Sequence, residues 1–409
     1  MSGHLVASTP GLRRQLGLAL LVLYGTGITI GAGIYVLIGA VAGHSGTYSP
    51  WAFILAAIVM ALTVASYAEM ATRYPVSAGE AAYVRAAFGS RALSTAEGLL
   101  TLATGIVAST AVTLGGTGYV RQFVDLPPPL ISLGIIVILG AVAAWGILES
   151  VVLAGLFTLI ETGGLLLIIF SALHANVTFA PVLFSLPPFE PTALSGIAFA
   201  SLLAFFAFVG FEDLANVVEE AKEPHRNIPL AMALTLVITS VLYILVAAIS
   251  VSVVPPSELA AAPAPLSLVF SKVAGISPVA FNAIAVVATL NTILAQMTMA
   301  SRVVYGMAQQ GDLPKIMGHV HSRTGTPLIA TMIVIAAAAV IVLMFPLERL
   351  AESTSLATLS TFALVNLSLV RIRIRRIHTS TRHVRVPLWM PVLGLATCVA
   401  MISTSLLRQ

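Results

Sequence analysis

Gly25-Thr26-Gly27-Ile28-Thr29-Ile30-Gly31-Ala32-Gly33-Ile34 lies in the middle of the first long apolar segment, between residues 16–23 and 35–42. Four glycines fall within nine residues, and each costs about 1 kcal/mol relative to alanine inside a helix. In a bilayer, backbone that leaves the helix must line a cavity or be buried against protein, because lipid offers no hydrogen bonds. Such a break exposes N–H groups and the positive end of a half-helix, which together suit an anionic group such as a carboxylate. The same small residues also let helices approach closely. By itself the stretch leaves both readings open.

The surrounding chain makes it a membrane protein. Of 409 residues, 58% are hydrophobic and 9% charged, against about 25% charged in soluble domains. The apolar runs are continuous, not alternating with period two, which excludes a β-barrel. Eleven spans of roughly bilayer length are expected at 16–42, 48–71, 92–120, 128–146, 150–173, 194–218, 229–254, 278–308, 327–345, 350–370 and 386–406. With a cytoplasmic N-terminus, all of the 20 Lys+Arg but Arg121, Lys272, Arg349 and Arg408 fall on the inner side. The positive-inside rule therefore places the C-terminus outside. The expectation is a multi-pass plasma (inner) membrane protein in contact with lipid. No cleavable signal separates from the first span. Cys398 is the single cysteine, so neither an internal disulfide nor a cysteine-rich metal site is expected.

Several connections carry information. Residues 78–88 read as a short amphipathic piece at the cytoplasmic interface. Pro255 to Lys272 reads either as an external hairpin capping the bundle or as a passive linker. The run Arg371-Ile372-Arg373-Ile374-Arg375-Arg376 directly follows a span and reads as a topogenic and headgroup anchor, not as a nucleic-acid site.

The sixth span repeats the anomaly of the first: Phe205-Phe206-Ala207-Phe208-Val209-Gly210-Phe211-Glu212-Asp213 places a glycine among aromatics and two carboxylates at membrane depth. Those groups need a polar cavity. Interrupted segments at corresponding positions of two halves point to a midplane site in an inverted-repeat transporter. The halves are residues 12–173 and 194–370, with 386–406 appended. One break offers donors and the other carbonyl acceptors, which suits a zwitterion such as an amino acid.

Four motifs in order then resemble the amino acid–polyamine–organocation permeases. They are Ile30-Gly31-Ala32-Gly33-Ile34, Tyr67-Ala68-Glu69-Met70-Ala71-Thr72-Arg73-Tyr74-Pro75, Glu220-Ala221-Lys222-Glu223-Pro224-His225-Arg226-Asn227-Ile228-Pro229, and Ser301-Arg302 with Gly311-Asp312-Leu313-Pro314 and Thr326-Pro327. The resemblance implies an all-α bundle with discontinuous first and sixth helices in a 5+5 inverted repeat plus one helix. It implies that a substrate carboxylate meets the cradle of Gly31, Ala32 and Gly33. The amino group would meet carbonyls around Thr29, Phe206, Ala207 and Val209, with Ser109 as a side-chain contact. Phe206 and Phe208 are implied as aromatic lids, Glu212 as a gating carboxylate, and Glu69 as a cytoplasmic packing and closure residue.

There are departures from the family pattern. Gln309-Gln310 replace a basic–acidic pair, Ala78 and Ala81 replace glycine or aromatic residues, and many members carry a twelfth span. Aligning Gly146-Ile147-Leu148-Glu149-Ser150 with the start of the fifth span puts Glu161 where sodium-independent members carry a lysine. A carboxylate there is expected to carry a proton, although cation holding, an amine contact and a purely structural role fit the sequence too. The functional expectation is secondary active transport of an amino acid, driven by a proton gradient and without cofactor or metal. Exchange, or transport of a cationic amine or polyamine, is the alternative. An enzyme is not expected, since no histidine falls clearly within a span, and no Gly-x-x-x-x-Gly-Lys loop is present. No obligatory protein partner is expected.

Overall fold

The structure, a computed structural model, describes residues 16–76, 79–145, 151–309, 311–321, 324–377, 379 and 381–406. Arg13, Arg14, Ala78, the 146–150 alignment segment, Gln310, Arg323 and Arg408 lie outside the described residues.

The chain folds as helices, with no strand among the described residues. The first apolar segment splits into α1 (Leu18–Ile30) and α2 (Gly33–Ser45). There follow α3 (Ser49–Arg73), α4 (Gly79–Phe88), α5 (Arg91–Val120), α6 (Pro128–Trp145), α7 (Val151–His174) and the short α8 (Ala180–Phe184). The sixth segment divides into α9 (Pro191–Phe206) and a four-residue α10 (Asp213–Asn216). The chain continues as α11 (Pro224–Val253), α12 (Pro256–Ala261), α13 (Pro265–Ala274), α14 (Val279–Gln309), α15 (Leu328–Met344), α16 (Leu347–Ile374) and α17 (Trp389–Leu406). Proline opens many of these helices, where its fixed φ fits and its missing N–H is not needed. That explains one shifted boundary. The helix expected from 229 begins at Pro224 and carries Pro229 inside it.

Among the described residues, seven helical stretches are long and apolar enough to cross a membrane, and shorter apolar helices such as α1, α9 and α15 accompany them. The outer surface matches. Val137 and Ile138 of α6, Leu159 and Phe170 of α7, and Met332 and Leu343 of α15 are all exposed, as a lipid-facing surface requires. Inside, α5 packs along α14, α3 along α11, and α16 against α5 and α17. Residues 255–274 form a helical hairpin seated on the bundle, with α12 against α2 and α13 against α7. Leu259, Leu266 and Val269 of this hairpin are fully buried, so the segment is a cap.

At the opposite end, Glu69 of α3 is fully buried and organises the chain between α16 and α17. It accepts from Arg73 Nη2 and from Arg373 Nη2, each at 2.8 Å, and from the Val386 N–H at 2.9 Å. Thr381 Oγ1 donates to the Arg73 carbonyl, and Arg371 Nε donates to the Ala87 carbonyl while its guanidinium stacks over Phe88. Part of the arginine cluster is therefore structural, while Arg375, Arg376, Arg382 and Arg385 are exposed. Breaking a buried ion pair from one side costs about 3–5 kcal/mol. Glu69→Gln is expected to lower the thermal unfolding midpoint of the detergent-solubilised protein by several degrees. Arg375→Gln should leave it unchanged. Intrinsic-fluorescence melting curves check both.

Candidate functional site

The break in the first span is short. The last α1 bond runs from Gly31 N–H to the Gly27 carbonyl at 2.9 Å, and α2 opens with Val36 N–H on the Ala32 carbonyl at 3.0 Å. The leading N–H groups of α2 have no acceptor within their own helix, and the helix's positive end lies there. The second break is built differently. Ala207, Phe208 and Val209 donate to the carbonyls of Ala204, Phe205 and Phe206 in successive tight turns, and Gly210 turns the chain at φ 126°. Beyond it stands a single helical turn, α10, and not the half-helix to 218 expected from the sequence. Asp213 N–H is instead satisfied by the Gly210 carbonyl.

The two breaks face each other. A Cβ on Gly33 would lie 2.5 Å from Ala207 Cα, and one on Gly210 would lie 2.9 Å from the Ile28 carbonyl oxygen. Only hydrogen fits at either place. A third element ties them together: Tyr243 of α11 places its hydroxyl 2.8 Å from the carbonyls of both Thr29 and Ala207. Its single O–H donates to one or is shared by both. Phe208 and Phe53 pack against the Tyr243 ring, with centroids 4.9 and 5.8 Å away. The sequence reading passed over Tyr243. The available signal was a tyrosine amid an apolar span, since a buried phenol needs a hydrogen-bond partner. Tyr243→Phe removes a bond worth about 1 kcal/mol net. It is expected to raise the half-saturating substrate concentration about fivefold, which uptake kinetics measures.

Between the breaks lies a cavity lined by Ile28, Thr29, Gly31, Ala32 and Gly33 from the first and Phe206 and Val209 from the second. Ala108 and Val112 of α5 and Thr292 and Gln296 of α14 complete it. Six of the expected residues thus converge: Thr29, Gly31, Ala32, Gly33, Phe206 and Val209. The centre of a water-sized sphere can explore about 20 Å³ there, space for a single water. The cavity is narrow at its cradle.

Four of the expected residues lie outside the lining. Ser109 turns its hydroxyl back to the Ile106 carbonyl at 2.8 Å, and its neighbours Ala108 and Val112 form that wall instead. Ala207 is not a lining residue; it is the contact point for Gly33 and Tyr243. Phe208 is fully buried and packs on Phe53 and Tyr243 without lining the cavity. Glu212 is also remote from the lining, with Oε2 accepting from the Gly210 N–H at 2.8 Å. It braces the second break.

Glu161 sits one layer out. Its carbonyl accepts from the Tyr35 hydroxyl at 2.6 Å, and its Oε1 accepts from Asn291 Nδ2 at 2.9 Å. Its Oε2 is buried with no hydrogen-bond partner among the described residues. Tyr35 lies two residues past Gly33, and Asn291 immediately precedes the lining residue Thr292. Glu161 therefore ties α7 to α2 and α14 beside the site without lining it.

Two interrupted helices packed face to face, enclosed by a bundle with an apolar exterior, define an integral membrane protein of the transporter type. The amino acid permease family profile matches residues 16–408, and the chain belongs to that family. It is 30% identical over 398 residues to the branched-chain amino acid permease BcaP of Bacillus subtilis (strain 168), covering 90% of this chain and 83% of that one. It is also 30% identical to cationic amino acid transporter 3, mitochondrial, of Arabidopsis thaliana, over 90% of this chain and 64% of the relative. Human cationic amino acid transporter 4 is 30% identical, over 89% and 60%. The chain spans less than two thirds of these two cationic relatives. The resemblance carried by the four motifs is borne out.

Proposed function

We propose that this protein is a secondary active transporter that moves an amino acid across the membrane by alternating access, with proton symport as the drive. The observation that carries the reading is the cavity between the two breaks, where the N-terminus of α2 and the carbonyl-rich second break meet. Such an arrangement binds the carboxylate and ammonium common to all amino acids. Family membership supports it, as do relatives named as amino acid permeases and transporters. In this reading the segments 12–173 and 194–370 form the inverted repeat of an eleven-span protein in the plasma (inner) membrane, N-terminus inside. Both faces gain access in turn as the spans rock about the fixed cradle. A cavity of about 20 Å³ admits no amino acid, so binding requires the walls to part.

Uptake into proteoliposomes containing only this chain tests the reading. Labelled amino acids should accumulate under an inward proton gradient, and a protonophore should collapse the accumulation. Uptake that ignores the gradient but needs internal amino acid would make the protein an exchanger. Absence of both uptake and exchange, for every amino acid offered, would overturn the transport reading.

A further inference from the structure

We infer that the substrate side chain is uncharged and aliphatic, so that the protein selects neutral amino acids over cationic ones. This rests on the amino-acid reading of the cavity given above. With the carboxylate and ammonium held by backbone at the two breaks, the side chain must extend toward the remaining walls. Those walls are Ala108 and Val112 of α5, Thr292 and Gln296 of α14, and the apolar side chains of Phe206 and Val209.

No lining residue carries a charge. The nearby buried carboxylates stand outside the lining. Glu161 directs Oε1 to Asn291, Glu212 directs Oε2 to the Gly210 N–H, and Glu97 accepts from Thr101 and Thr361. Thr292 donates its hydroxyl to the Ala288 carbonyl of its own helix, 3.0 Å away, which leaves it only acceptor capacity. A cationic side chain would therefore be desolvated without a counter-charge, a placement strongly disfavoured in low dielectric. An aliphatic one gains affinity with each methylene buried against such walls. A transport site that binds the shared headgroup through backbone takes its selectivity from these few side chains.

The test uses the whole chain in proteoliposomes loaded and challenged with single labelled amino acids. L-Valine, L-leucine and L-alanine should be taken up, and L-lysine and L-arginine should enter at less than about one tenth of the valine rate. Isobutylamine and L-valinamide, which lack the carboxylate, should fail to compete. Lysine or arginine uptake equal to that of valine would overturn the inference while leaving amino acid transport intact. Failure of valine, leucine and alanine while another amino acid is transported would also overturn the inference, and failure of every amino acid offered would overturn both. The isosteric Gln296→Glu supplies the missing charge in the wall and is expected to raise the lysine-to-valine uptake ratio at least about tenfold. An unchanged ratio in a variant that still transports valine would show that α14 does not read the side chain, and the wall assignment would fall.

Discussion

Gly33→Ala is expected to reduce amino acid uptake by about 100-fold or more, the scale on which sub-ångström misplacement of a built site acts. The added methyl would sit 2.5 Å from Ala207 Cα and 3.0 Å from Ala207 Cβ. Real Cβ contacts at such distances do not persist, so one of the two breaks must move. Neither has room. Ala207 is held from behind by Tyr243, and the turn after it depends on Gly210, whose φ of 126° and proximity to the Ile28 carbonyl admit no side chain. Displacing α2 would carry the N–H groups of Ala32 and Gly33 away from the carbonyls opposite, which separates the two halves of the headgroup site. Gly163→Ala is the control. It lies on α7 with nothing within 4 Å of the added carbon, and alanine is the better helix former. Both variants should purify as monodisperse protein, and initial uptake rates should separate them. A Gly33→Ala protein with at least half the wild-type rate would show that contact between the breaks does not shape the site.

The same contact shows what could be read without a structure. Gly31, Ala32 and Gly33 were legible because a cluster of poor helix formers in a membrane span has few explanations. The sixth-span anomaly marked the second break, and the family resemblance supplied Phe206 and Val209 within it. The fold was legible for the same reason: apolar length and arginine placement are one-dimensional signals, and a bilayer turns them into architecture. Ser109 rested on the family resemblance alone, and the hydrophobic pattern of α5 offers no check on it because it does not distinguish one buried face from the next. Residues 106–119 are buried on nearly every side. Ala108, Val112 and Gln296 look like any other span residues until α5 and α14 are packed together. Tyr243 escaped because its partners are carbonyls of Thr29 and Ala207, and backbone partners leave no trace in side-chain identity. Phe208 lies in the second break, where a tight turn of irregular backbone has no fixed period from which its packing on Tyr243 could be read.

Glu161→Gln is expected to abolish proton-driven accumulation while sparing exchange. The geometry separates the two properties. Glu161 meets no substrate-lining surface, so its loss should leave the cradle at Gly31 to Gly33 able to bind. Glutamine keeps an acceptor for Asn291 Nδ2 and puts an amide where Oε2 now lies buried without a partner among the described residues, so the variant should fold at least as well. What it cannot do is gain and lose a proton. The carboxyl's contacts are to Asn291 on α14 and, through its backbone carbonyl, to Tyr35 on α2. Both helices border the cavity, so they lie where spans rocking about the cradle would pass. A proton that neutralises the bare carboxyl when the cavity faces one side, and leaves when it faces the other, would thereby couple to the conformational step. For one proton per substrate, an inward gradient of one pH unit supports about tenfold accumulation. The wild type should approach that ratio in sealed proteoliposomes, and Glu161→Gln should settle near equality of inside and outside. Counterflow of labelled amino acid against internal unlabelled amino acid should survive in both proteins. If the variant accumulates substrate with the wild-type response to the gradient, the proton travels by another route. Glu161 is then a structural acid whose task is to hold α7 against α14.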